Sequence, residues 1–231
     1  MTTTTFGIRP DSRVEVIIDG AHLYNVSRNL GFDVDYENLR QMLFSEYDCR
    51  RISYLMKVAY DDNGAIQQAP IAKLLDYLRY NGYRTILGET KEWNDATSGR
   101  RIVRQSVDVG ITCAMMQAVR RVDEIIVFAG SEDLITAVEE CTTDGARVTL
   151  VSSIRTTPVM VSTDLRAAAD WFVDISDIKE KILRRGREPV FPNRLVASPP
   201  TDTAMIVEDR RNDNSIRGRM RMHPRSVGSL G

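Results

Sequence analysis

Three cysteines in 231 residues, Cys49, Cys113 and Cys141, are too few and too scattered for a disulfide framework, and no CxxC pair is present to hold a metal. They fit a reducing compartment. Histidine is scarcer: His22 and His223 are the only two, and the second lies in a proline-rich C-terminal stretch. That leaves little basis for Ser–His or Cys–His hydrolysis. No GxGxxG follows the first apolar run, where Gly20 stands alone, so nothing points to a dinucleotide. The same run leads into DGAHL, which offers neither the DxDxT of a phosphatase nor the DxSxS of a metal-ion adhesion site. No segment approaches the roughly 18 apolar residues that span a bilayer, and MTTTTFGIRPDSR lacks the apolar core of a signal peptide. The expectation is a soluble, cytoplasmic protein with no membrane segment.

Net charge is also nearly absent, at −1, but the total hides two opposed segments. Beyond Ile182 apolar periodicity stops, five prolines interrupt any helix, and arginines accumulate from Arg184 to Arg225 faster than carboxylates. The expected organisation is a flexible lead-in over 1–12, one folded domain over 13–178, and a basic, Pro/Arg-rich, disordered tail over 179–231. With 42% hydrophobic residues the middle segment can bury one sizeable core.

Within that segment short β-branched runs alternate with helical patterns, the signature of an α/β fold with a mostly parallel sheet. Strands are predicted at 14–19, 51–60, 83–87, 124–130, 147–153 and 171–175. Helices are predicted at 21–30, 35–46, 66–81, 106–120, 132–144 and 161–169. Leu39, Met42 and Leu43, and then Leu74, Leu75 and Leu78, have the spacing of helices laid on a sheet, so both faces are expected to be covered, giving three layers. Turn signals at Asn63-Gly64, Asn81-Gly82 and Asp144-Gly145 support the divisions.

Open parallel sheets bind ligands beyond the carboxyl ends of their strands. Acidic residues fall there: Asp19 ends the first strand, Asp108 opens the fourth helix, and Glu132 and Asp133 follow the fourth strand. Carboxylates gathered without matching cations repel one another, and Mg²⁺ accepts one or two of them together with water and phosphate oxygens. A hard divalent cation, Mg²⁺ or Mn²⁺, is the expected cofactor. Each residue also has a local reading, as a helix cap or as a first-turn acid facing the helix dipole.

Three segments resemble the NYN-domain family, a branch of the PIN-like metal-dependent ribonucleases. DGAHLYN is similar to the family's opening motif, QSVDVGITCAMM to its VDV helix, and VFAGSEDLITAVEEC followed by GARVTLV to its SGDSDF segment and next strand. The similarity runs from about Val14 to Asp177. It implies a PIN-like, Rossmann-like fold and hydrolysis of single-stranded RNA. Asp19, Asp108, Asp133 and Ser131 would be the catalytic residues, and Asp19, Asp108, Asp133 and Glu132 the metal ligands. The chain departs from the family pattern at His22, where the family has Asn and this chain has Asn25 one turn later. It departs again at Ser131, in place of the first Asp of SGDSDF, and at Ala114, where an Asp is common. A catalytically inactive RNA- or protein-binding module of the same fold is the rival expectation.

His22, Asn25, Arg101 and Arg104 are the candidate RNA contacts, and Trp93 is a candidate for stacking on a base or anchoring its loop. Arginines strung along the tail would bind phosphates without sequence preference. A protein partner or self-association stays open.

Overall fold

Six parallel strands form one sheet in the order β3-β2-β1-β6-β7-β8, and a separate antiparallel pair, β4-β5, follows β3 in sequence. The structure is a computed structural model that describes residues 4–94, 101–104 and 106–185. The strands are β1 Arg13–Asp19, β2 Asp48–Val58, β3 Arg84–Glu89, β4 Lys91–Asn94, β5 Arg101–Arg104, β6 Glu124–Phe128, β7 Arg147–Ser152 and β8 Trp171–Asp174. The helices are α1 Gly20–Asn29, α2 Tyr36–Glu46, α3 Ala69–Tyr80, α4 Asp108–Ala118, α5 Ile135–Thr143, α6 Thr163–Ala168 and α7 Ile175–Ile182. This is the expected three-layer α/β architecture.

β1 and β6 are the innermost strands, and their runs VEVII and EIIVF are buried throughout. Near-continuous burial rather than alternation is what a parallel sheet covered on both faces requires. On one side Ile17, Leu55, Ile125, Val127 and Leu150 pack with Ile111 and Met115 of α4 and Val138 of α5. Glu15 sits among the buried residues at 5% exposure because Arg121 donates to both of its carboxylate oxygens, at 3.1 and 3.2 Å. Helix starts follow local chemistry. Asp35 caps α2 by accepting from Glu37 N and Asn38 N, Ser162 caps α6, and Asp174 caps α7, each contributing about 1 kcal/mol.

Three expectations change. The predicted helix over 132–144 begins as a 3-10 turn, Glu132–Leu134, before α5. The stretch taken as a loop around Trp93 contains β4 and β5, paired with Trp93 opposite Ile102. The sixth predicted strand, 171–175, ends as β8 at Asp174 and passes at once into α7, whose Ile175, Ile178 and Ile182 are buried at helical spacing.

Folded backbone therefore continues past residue 178. Leu183 bridges Val34, and Arg184 N donates to Asp33 O at 2.9 Å. At the other end, residues expected to be a flexible lead-in are pinned: Phe6 and Ile8 are 1% and 3% exposed, Thr5 N donates to Glu46, and Phe6 N to the Tyr47 hydroxyl. The tail expected over 179–231 falls, from 186 on, outside the described residues. No helix among the described residues is long and apolar enough to cross a membrane.

Candidate active site

β1, β2 and β3 step away in one direction and β6, β7 and β8 in the other, so the strand order reverses between β1 and β6. A crevice opens at such a reversal, beyond the carboxyl ends of the strands. Asp19 is the last residue of β1, and Ala129, Gly130 and Ser131 lead out of β6. α4 packs on β1, β2 and the 3-10 turn, which brings its first residue, Asp108, to the same end of the sheet.

Asp19 Oδ1 accepts from Ala21 N at 2.9 Å and His22 N at 3.0 Å, so the helix-cap reading is correct as far as it goes. The cap does not offset the cost of the site. Burial first, and the charge of Asp108 second among the opposing influences, push the Asp19 carboxyl up to about 6, against the hydrogen bonds that favour its charged form. No Lys or Arg among the described residues moderates it. Asp108 receives a hydrogen bond from the Ser106 hydroxyl, and Ser106 Oγ accepts from Asp108 N at 3.3 Å. Ser106 was not singled out from the sequence, although a serine two residues before a helix-opening acid is a recognisable local hydrogen-bonding pattern.

Asp133 and Glu132 are placed differently. The Ser131 hydroxyl accepts from Asp133 N at 3.3 Å, and the tight turn that follows sends Leu134 into the core at 1% exposure. With three residues per turn, Glu132 and Asp133 then face solvent. The structure thus brings together Asp19 and Asp108 of the four expected ligands and leaves Asp133 and Glu132 on the exposed rim. Among the described residues no three His, Cys, Asp or Glu side chains converge as a ready-made cation cage. The donor set still suits a hard divalent cation: a buried carboxylate raised by its surroundings and by a second carboxylate is relieved by positive charge, and Mg²⁺ takes one or two protein carboxylates with water.

His22, expected as an RNA contact, is engaged within the fold. Its Nε2 lies 2.9 Å from Ser152 Oγ, at the end of β7, and burial lowers its pKa to about 4. The neutral ring ties α1 to β7 and, through its backbone N–H, steadies Asp19. With only two histidines in the chain, an imidazole NMR titration resolves it directly. His22 is expected to titrate near 4 rather than the ordinary value of about 6.5; a midpoint at the ordinary value would show a solvent-exposed ring and refute the pin. Ser152 carried no sequence signal, because its partner lies on another strand. Asn25 is half-buried on α1. Arg101 and Arg104 bracket β5, and their side chains, like that of Trp93, lie outside the described residues.

Comparison with known proteins agrees with the fold. The chain is 28% identical over 189 residues to low amplitude and bright protein LabA of Synechococcus elongatus, covering 81% of this chain and 97% of that one. It superimposes on the crystal structure of VPA0982, a protein of unknown function from Vibrio parahaemolyticus, with a TM-score of 0.58 at 19% identity, covering 77% of this chain and 99% of the other. The latter is a likeness of fold. Residues 13–177 match the NYN domain model, from the start of β1 to the first turn of α7, and the chain belongs to the NYN domain family.

Proposed function

We propose that this protein is a metal-dependent ribonuclease that hydrolyses phosphodiester bonds of single-stranded RNA. The observation that carries the reading is the pairing of Asp19 with Asp108 at the sheet's reversal point, where the charge of Asp108 adds to burial in raising the Asp19 carboxyl. Asp19 and Asp108 would hold Mg²⁺ or Mn²⁺, with Asp133 and Glu132 reaching it from the rim through water. A bound cation of this kind stabilises charge on the phosphoryl oxygens and lowers the pKa of its water to make a nucleophile.

The chain's own groups do the rest. Asp108, held by Ser106, keeps a fixed orientation for positioning the attacking water. Ser131 uses its oxygen to cap Asp133, which leaves its hydroxyl proton free to donate to a phosphate. Asn25, Arg101 and Arg104 would contact an incoming strand. The arginines beyond Arg184 supply phosphate contacts whose strength falls with salt.

The second reading is an inactive RNA- or protein-binding module, favoured by the outward placement of Asp133 and the missing three-ligand cage among the described residues. A labelled, unstructured RNA incubated with Mn²⁺, Mg²⁺ or EDTA separates the two. The nuclease is expected to cleave with Mn²⁺ or Mg²⁺, to stop in EDTA, and to lose more than about 100-fold in Asp108→Asn, beyond the 10–100-fold range typical of an outer-shell partner. Retained RNA binding without cleavage under any of these metals would establish the inactive module.

A further inference from the structure

The amino ends of the parallel strands lie at the opposite edge of the sheet from Asp19, and arginines collect there. Arg13 opens β1, Arg50 and Arg51 fall near the start of β2, and Arg121 follows α4 shortly before β6. β1 runs the whole way from Arg13 to Asp19, so at about 3.3 Å per residue the cluster is about 20 Å from the candidate active site. Together with Glu15 these four arginines line a hollow of about 300 Å³. A bulge brings two of them to it. β1 and β2 pair Val14 with Cys49 and then Glu15 with Arg51, so Arg50 is an extra residue in the ladder. Consecutive strand residues ordinarily face opposite sides of a sheet, whereas Arg50 and Arg51 line the same hollow; re-aiming a side chain is what such a bulge does.

The arginines outnumber the carboxylates that answer them. Asp123 takes Arg13 at 2.7 Å and Asp48 takes Arg50 at 2.6 Å, both on the exposed rim. Glu15 is the one acid lining the hollow, and Arg51 stands directly opposite it in the strand register. Its carboxylate is engaged by Arg121 alone. Arg51 makes no side-chain hydrogen bond or ion pair among the described residues, although it is half-buried while the three paired arginines are exposed. The surplus positive charge therefore sits at the most enclosed of the four positions, where water screens it least. Donors are idle as well: Arg50 and Arg121 each bond their carboxylate through Nη2 alone, out of guanidiniums that carry five N–H groups. A phosphate group suits such an array better than a further carboxylate does. Its tetrahedral oxygens point in several directions and accept from guanidiniums on different elements at once, each in a charge-assisted bond.

We propose that this hollow is a second, non-catalytic phosphate-binding site, in which Arg50, Arg51 and Arg121 hold the phosphate group of a nucleotide or of an RNA strand. Glu15 keeps Arg121 at the hollow with its other nitrogens free, and Arg51 supplies the charge that no carboxylate of the chain neutralises. The proposal does not depend on cleavage activity, since the cluster shares no residue with Asp19 and Asp108 and lies at the other end of the strands.

Thermal melting of the full-length protein in EDTA, with sodium phosphate compared against sodium chloride at equal ionic strength, reads the site without any metal. Phosphate is expected to raise the melting temperature where chloride does not. Its dissociation constant should rise about 10-fold or more in Arg51→Gln and in Arg50→Gln, each of which removes a charged donor. In chloride both variants are expected to melt as the parent does, because Arg51 has no partner to lose and Arg50 is paired only at the exposed rim. In the parent the Arg51 Nε–H NMR resonance should shift on adding phosphate, which separates this site from arginines elsewhere in the chain. An unstructured RNA oligonucleotide that displaces phosphate from that resonance assigns the site to a strand, and displacement by a mononucleotide alone assigns it to a free nucleotide. The proposal is overturned by a phosphate effect no larger than that of chloride, by an Arg51 resonance that phosphate leaves unmoved, or by displacement with neither competitor.

Discussion

Asp19→Asn is expected to melt at a higher temperature than the parent in metal-free buffer at pH 7.5 and to have lost metal-dependent cleavage altogether. Asparagine caps a helix as well as aspartate does, so the bonds from Ala21 N and His22 N survive the exchange. What disappears is a negative charge that the fold holds at a cost. A carboxyl raised from 3.8 to about 6 is disfavoured in its ionised form by on the order of 2–3 kcal/mol at neutral pH. For a domain of this size that corresponds to a gain of roughly 4–10 °C. Mg²⁺ or Mn²⁺ should narrow the gap by stabilising only the parent.

The sign with pH follows from linkage. Asp19 binds its proton more tightly folded than unfolded, so its penalty is absent below about 3.8 and complete above about 6. The gain of the variant should therefore vanish as pH falls through that window. His22 works the other way: lowered to about 4 from 6.5, it stabilises fully above 6.5 and loses that contribution as pH falls toward 4. In the parent the two nearly offset between pH 4 and 6. In Asp19→Asn only the His22 dependence remains, and stability should fall more steeply on acidification. Calorimetric melts of both proteins across pH 4–7.5 check this. A variant that melts no higher than the parent without metal would mean that Asp19 carries no such penalty.

Gly130→Ala is expected to be the most damaging small substitution in the protein. A Cβ at this position would lie 2.1 Å from the Met160 carbonyl oxygen and 2.4 Å from His22 Cε1. The first obstacle is backbone, which cannot rotate aside, and the second is the ring pinned on Ser152. Ser162 N also donates to Gly130 O at 3.0 Å, so displacing the loop breaks a second connection. The expected loss is about 3 kcal/mol or more, at the upper end for overpacking, with cleavage reduced because the loop carries Ser131. Gly20→Ala should follow closely, since its Cβ would meet the Tyr54 ring at 2.4 Å, and that ring is wedged edge-on against Tyr36. Gly31→Ala is the control. Its Cβ meets nothing within 4 Å, so only the strain of φ +73° remains, about 1–2 kcal/mol. Chemical denaturation of the three variants gives the order directly, and equal losses at Gly130 and Gly31 would refute the close packing around His22.

Much of this was legible from local chemistry. Unbroken runs such as VEVII and EIIVF identify strands covered on both faces, and an aspartate at the end of the first such run has few places to be other than the mouth of the sheet. Boundaries moved where local signals compete. Pro70 in the first turn of α3 brings that helix in from residue 66 to 69, and Ser131 starts a 3-10 turn where periodicity read a helix.

The chain's short-range pattern was sufficient for the α/β class, the strand sequence and the position of Asp19 and Asp108 at strand and helix ends, because burial on a sheet or helix face is written in periods of two and 3.6. It was silent on everything set by pairing between distant segments. His22 is turned onto Ser152, 130 residues away; Asp133 faces outward because Leu134 is needed in the core; and only one of the two apolar strips on α4 meets the sheet. Periodicity reports that a face is apolar, whereas which neighbour covers it, and which way a carboxylate at its edge then points, depends on the order in which the strands assemble.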